Sequence, residues 1–221
     1  RTDKLYVKES EDETNTDVFI MTDMSRSMGF GRKWEYASTL AFLMAYIARK
    51  QGDYAGYAMF SDSVKTLRKP TGNRKMLHEL SGALSETVPA GKTDAESSVS
   101  SMIHLVRKST FFIMISDCMD SLENMLDTLR GLIVRGNDVI LFHISERAET
   151  DKAILTQTRL KDMETGMTVA PQAYEDRVRD IEKHNENIRT GCIENGIDYE
   201  HMYTDETFNK SLIRFFSRRR R

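Results

Sequence analysis

Short, continuous apolar runs recur along the chain, and between most of them the apolar positions switch to a spacing of three and four. "DVFIMTD" at 17–23 has the apolar centre of a strand buried on both faces, and 33–50 reads as a long helix with apolar residues nearly all round it. "DYAGYAMFS" (53–61) and "SVKTLRKP" (63–70) are so close that they predict an antiparallel hairpin, the more polar second strand lying at an edge. After the turn "PTGN", residues 73–84 predict a helix, "VPAGKTD" a loop punctuated by Pro89 and Gly91, and 94–108 a helix with Val99, Met102, Ile103 and Val106 in phase. "STFFIMISD" (109–117) is the most apolar strand and is expected at the centre of the sheet. A helix at 121–135 stopped by Gly136 and the strand "DVILFHIS" (138–145) follow. Then come a small hairpin turning at "ETG" within 159–171, a helix at 173–195, the strand "DYEHMYT" (198–204) and a final helix at 206–217.

Strands alternating with helices predict an α/β fold: a mainly parallel sheet with one antiparallel edge strand, helices on both faces and a small β-hairpin insertion. In open sheets of this kind ligands bind beyond the carboxyl ends of the strands, near the point where strand order reverses. Two predicted strands end there in an acid, Asp23 and Asp117, where packing does not require a carboxylate.

Behind Asp23 stand Ser25 and Ser27, and alternate positions of an extended segment point to one side. The loop "GKTD" adds Thr93. Two carboxylates and three hydroxyls form an oxygen-only donor set, which suits Mg²⁺ or Mn²⁺ better than a larger ion held by bidentate carboxylates. Asp and Ser are also preferred helix caps, but capping accounts for neither Asp117 nor Thr93.

These five residues resemble, in order, the metal-ion-dependent adhesion site of von Willebrand factor A domains: D-x-S-x-S at Asp23, Ser25 and Ser27, then a distant Thr93 and a distant Asp117. The segments "RTDKLYVKESEDETN", "RKQGDYAGYAMFSD", "GKTD", "ISDCMD", "RGNDVILFHI" and "METG" are similar to the bacterial and archaeal von Willebrand A-like proteins known as domain of unknown function 58, over essentially the whole chain. The resemblance implies a Rossmann-like von Willebrand factor A domain over 17–217, with an insertion at about 156–172, a truncated extension at 1–16 and a basic tail at 218–221. It also implies that Ser25 and Ser27 bind Mg²⁺ directly, that Asp23, Asp117 and Thr93 bind it directly or through water, and that a MoxR-type AAA+ ATPase is a partner. Two carboxylates neutralise a divalent ion and leave a coordination position open, which an acidic side chain of a partner can fill. The expected function is therefore a non-enzymatic protein-interaction module. Arg26 and Lys92 flank the set and read as solvated loop charges.

Composition trims the alternatives. With 32 Lys+Arg against 34 Asp+Glu there is no global field to draw in nucleic acid or lipid, and the four arginines that end the chain read as a solvated tail. "LAFLMAYIA" (40–48) is too short to span a bilayer, and no secretory signal is evident. Cys118 and Cys192 have no metal-type spacing, which fits a reducing compartment and a cytoplasmic location; Cys118 reads as a buried thiol. His78, His104, His143, His184 and His201 are scattered singly. The alternative function is a Mg²⁺-dependent phosphoryl-transfer hydrolase of haloacid-dehalogenase type, with Asp23 as nucleophile and Asp117 and Asp120 as the acidic pair. Its general acid would stand at position 25, which is serine.

Overall fold

The structure is a computed structural model that describes residues 15–102, 109–119, 122–149, 171–208 and Leu212. The strands are β1 (Asp17–Asp23), β2 (Tyr54–Phe60), β3 (Val64–Thr71), β4 (Thr110–Ser116), β5 (Asp138–Ser145) and β6 (Asp198–Tyr203). The helices are α1 (Lys33–Lys50), α2 (Lys75–Glu86), α3 (Ala95–Met102), α4 (Leu122–Val134) and α5 (Pro171–Glu194). One sheet runs β3-β2-β1-β4-β5-β6, parallel throughout except for the β2/β3 pair. Chain order runs outward from β1 to β3 on one side, then returns to its other flank with β4. The reversal between β1 and β4 therefore lies where Asp23 and Asp117 emerge.

Strand alternation divides the core in two. Val18 and Ile20 of β1 and Ile113 and Ile115 of β4 face the layer of α1 and α2, while Phe19, Met21, Phe112 and Met114 face α3, α4 and α5. The rings of Phe19 and Phe112 stack across the second layer at 5.8 Å. Burying an apolar side chain of this size stabilises the fold by roughly 1.5–3 kcal/mol. The two central strands are covered on both faces, and this rigid slab holds the rim.

The expected strands and the edge hairpin are present, as is the central place of 110–116. Helix α1 differs from its expected all-round covering: Tyr36, Ala37, Leu40, Ala41, Met44, Ala45 and Ala48 form one buried face, while Phe42 and Tyr46 turn outward. Helix α2 starts two residues later than expected, because the Asn73 side chain accepts from the Lys75 amide at 2.9 Å and leaves Asn73 outside the helix. The hairpin expected at 159–171, except for Pro171, which begins α5, lies outside the described residues, as do the stretch 103–108, most of the final helix and the 1–14 and 218–221 termini. Among the described residues no helix is long and apolar enough to cross a membrane.

Candidate functional site

Three loops are stitched together over the β1/β4 reversal by backbone bonds. Beyond β1, the Met24 amide donates to the Phe60 carbonyl at 2.7 Å, the Arg26 amide to the Gly91 carbonyl at 3.0 Å, and the Ala90 amide to the Met24 carbonyl at 2.8 Å. The Asp94 amide donates to the Ser61 carbonyl at 2.7 Å, which fixes Thr93 beside the first loop. Gly91 has a φ of +86°, and a Cβ there would stand 3.2 Å from the Ser61 hydroxyl, so the turn that presents its carbonyl favours glycine on both counts.

Asp23 is fully buried. Its Oδ1 accepts from the Ser25 amide at 2.8 Å and its Oδ2 from the Ser116 hydroxyl at 2.7 Å. Burial pushes its carboxyl up to about 6; the Ser116 hydroxyl opposes this shift and the charge of Asp117 adds to it. The Ser25 and Ser27 hydroxyls are 3.0 Å apart, and Ser27 Oγ donates to Asp117 Oδ1 at 3.1 Å. Ser25, Ser27 and Thr93 line one open cavity together with Arg26, Gly91, Lys92 and Met119. The structure thus brings Ser25, Ser27, Asp117 and Thr93 to one rim, with Asp23 just beneath, joined through the Ser25 backbone.

The chain turns sharply after Asp117. Cys118 adopts a φ of +55°, uncommon for a residue with a side chain, and its amide donates to Ser116 Oγ at 2.9 Å. The Cys118 thiol is buried, and burial pushes it well above its ordinary range, with the charge of Asp117 adding. It is the inert thiol expected, since nucleophilic cysteines need their thiolate form.

Two further site residues, Lys33 and Glu149, were not evident from sequence. Lys33, the first residue of α1, is 1% exposed and donates to Asp117 Oδ2 at 2.7 Å and Glu149 Oε1 at 2.8 Å. Loss of water alone would lower its ammonium, but the charges and hydrogen bonds of Asp117 and Glu149 outweigh this and hold it above its ordinary value. A signal for Lys33 was present: it falls in phase with the buried stripe of Tyr36, Ala37 and Leu40. Nothing local marks Glu149, which pairs across 116 residues.

The donors facing the cavity are uncharged hydroxyls, and behind Ser27 stands the buried Asp117 carboxylate, a hard-oxygen set that fits a small divalent cation. Among the described residues no group of three or more His, Cys, Asp or Glu side chains is arranged to hold a metal. A cation here would therefore depend on hydroxyls and on the Asp23/Asp117 pair.

The fold is similar to several solved structures. The conserved hypothetical protein BatB from Bacteroides thetaiotaomicron superposes with a TM-score of 0.57 at 12% identity, over 92% of this chain and 98% of that one. The SpRpn10 VWA domain gives 0.53 at 8% identity, over 92% of this chain and 95% of that one. The pilus adhesin SpaC from Lactobacillus rhamnosus GG gives 0.50 at 14% identity, over 80% of this chain and 31% of that one. At such identities the likeness establishes a von Willebrand A-like fold. Comparison with curated proteins gives no match. The family described as "Protein of unknown function DUF58" matches residues 1–190, and the chain belongs to it.

Proposed function

We propose that the chain is a protein-interaction module that binds Mg²⁺, or Mn²⁺, at the β1/β4 rim and recruits an acidic side chain of a partner protein. The observation that carries this reading is the continuous run from Ser25 Oγ through Ser27 Oγ to Asp117 Oδ1, in steps of 3.0 and 3.1 Å, at the edge of a cavity that Thr93 also lines. Ser25, Ser27 and Asp117 would hold the ion, with Thr93 and Asp23 binding it directly or through water. The ion would supply a Lewis-acidic position for one more carboxylate. Asp23 and Ser116 brace the Ser25 backbone, and exposed Arg26 and Lys92 give the cavity mouth positive charge that favours an acidic partner. The family resemblance suggests a MoxR-type AAA+ ATPase as that partner, in assembly or maturation of a complex. The buried free thiols suit a reducing compartment and support a cytoplasmic location as part of this proposal.

On this reading the protein is not an enzyme. A phosphatase of haloacid-dehalogenase type needs Asp23 to attack substrate, but that carboxylate is buried beneath the cavity with each oxygen accepting a hydrogen bond. Titration calorimetry with magnesium chloride should show binding that Asp23→Ala abolishes. An isotherm unchanged in the variant contradicts the assignment.

A further inference from the structure

Lysine is almost never fully buried unless paired, and at Lys33 the pairing uses a carboxylate with a second task. Asp117 turns Oδ2 to the Lys33 ammonium at 2.7 Å and Oδ1 to the Ser27 hydroxyl at 3.1 Å. One oxygen of this buried carboxylate meets a hydroxyl that lines the donor cavity and the other a fixed positive charge. Glu149 supplies the counter-charge from the segment after β5, and its own place is set: Oε2 accepts from the Glu146 amide at 3.0 Å, while Glu146 Oε2 accepts from the Arg32 amide at 3.0 Å. Gly31 has a φ of +57°, which favours glycine, and the Glu146 carboxylate lies 2.5 Å from where its Cβ would stand. The ammonium is anchored from both sides.

We propose, resting on the reading that a divalent ion binds at Ser25, Ser27 and Asp117, that Lys33 is a built-in competing cation and that Glu149 moderates it. A positive charge on one oxygen of a carboxylate repels a second cation at the other. At the effective dielectric of a protein interior this repulsion is worth about tenfold or more in affinity. Lys33 also gives Asp117 a partner before any ion arrives, so the rim can fold without metal. Such a site holds its ion weakly by itself and gains most when a carboxylate from outside adds the missing negative charge.

The pair Lys33 and Glu149 carries opposite charges, so the proposal demands opposite signs from their removal. Magnesium titrations of the full chain should show Lys33→Met binding about tenfold or more tighter than wild type and Glu149→Gln binding more weakly. Thermal unfolding gives a second readout: chelator should leave the wild-type midpoint nearly unchanged and lower that of Lys33→Met. Weaker binding by Lys33→Met, with wild type still binding, overturns the proposal and leaves Lys33 as a positioning residue for Asp117, the metal reading intact. Absence of binding in wild type and both variants overturns the metal reading and this proposal with it. Should Lys33→Met fail to fold by circular dichroism, Glu149→Gln decides alone, and unchanged or tighter binding there overturns the proposal.

Discussion

Two buried polar clusters lie on the same sheet, and they solve burial in opposite ways. At the β1/β4 reversal Asp117, Lys33 and Glu149 keep opposite charges in contact beside the buried Asp23, and Ser25, Ser27 and Thr93 open onto a cavity. Between β5 and β6 the rings of His143 and His201 stack 4.4 Å apart, and Ser145 Oγ bridges their Nε2 atoms at 3.4 and 2.8 Å. His143 Nδ1 also lies 2.9 Å from the Tyr199 hydroxyl. Burial pushes His143 well below its ordinary range and His201 down to about 4, so this second cluster is held neutral. A cluster that keeps its charges and leaves hydroxyls facing a cavity is suited to a ligand, whereas a neutral one whose donors meet acceptors within the protein is suited to joining two strands.

The largest expected effect breaks the charged cluster. Asp117→Ala leaves the Lys33 ammonium buried with one partner instead of two and should destabilise the fold by about 3 kcal/mol. His143→Gln, which removes a neutral hydrogen bond, should cost about 1 kcal/mol. Urea unfolding of both variants tests the contrast, and a reversed order would mean that the histidine pair is the more tightly coupled cluster.

An effect smaller than that of Asp117→Ala should appear in acid. Between about pH 6.5 and 4 the unfolded chain protonates His201 while the folded chain resists, so the stability that His201 contributes is lost as pH drops through this window, while Asp23, its carboxyl pushed up to about 6, acts in the opposite sense. The groups facing His201 are His143, Ser145, Tyr199 and Tyr203, with Glu206 favouring its charged form and Arg147 opposing it. His201's share between pH 7 and 5 should be on the order of 2 kcal/mol. Unfolding of His201→Phe at the two pH values should show a shallower dependence, and an equal slope would remove His201 from the account.

The contrast also explains what could be read from sequence. Strands 17–23, 110–116 and 138–145 were legible because strands buried on both faces are apolar without interruption, and α1 because an apolar-rich stretch of 18 residues without Gly or Pro is too long for a strand. Asp23, Ser25 and Ser27 were legible because they sit together on one strand end, and Asp117 because it interrupts apolar sequence at another. The helical phase of Lys33 marks it as buried, but its ion pairs with Asp117 and Glu149, 84 and 116 residues away, are encoded by no local pattern, and Glu149 has no local mark at all. His143 and His201 look isolated in sequence, and parallel register alone sets them opposite each other. Pairing across strands joined by a long crossover is the part of a fold that periodicity carries least.

The central claim is that a divalent ion lands on the charged cluster and not on the neutral one. Mn²⁺, added in small steps to ¹⁵N-labelled protein, broadens amide signals near where it binds. The account predicts that Ser25, Ser27, Thr93 and Cys118 fade first while His143 and His201 persist. Early loss centred on His143 and His201, or uniform broadening without a focus, would contradict it.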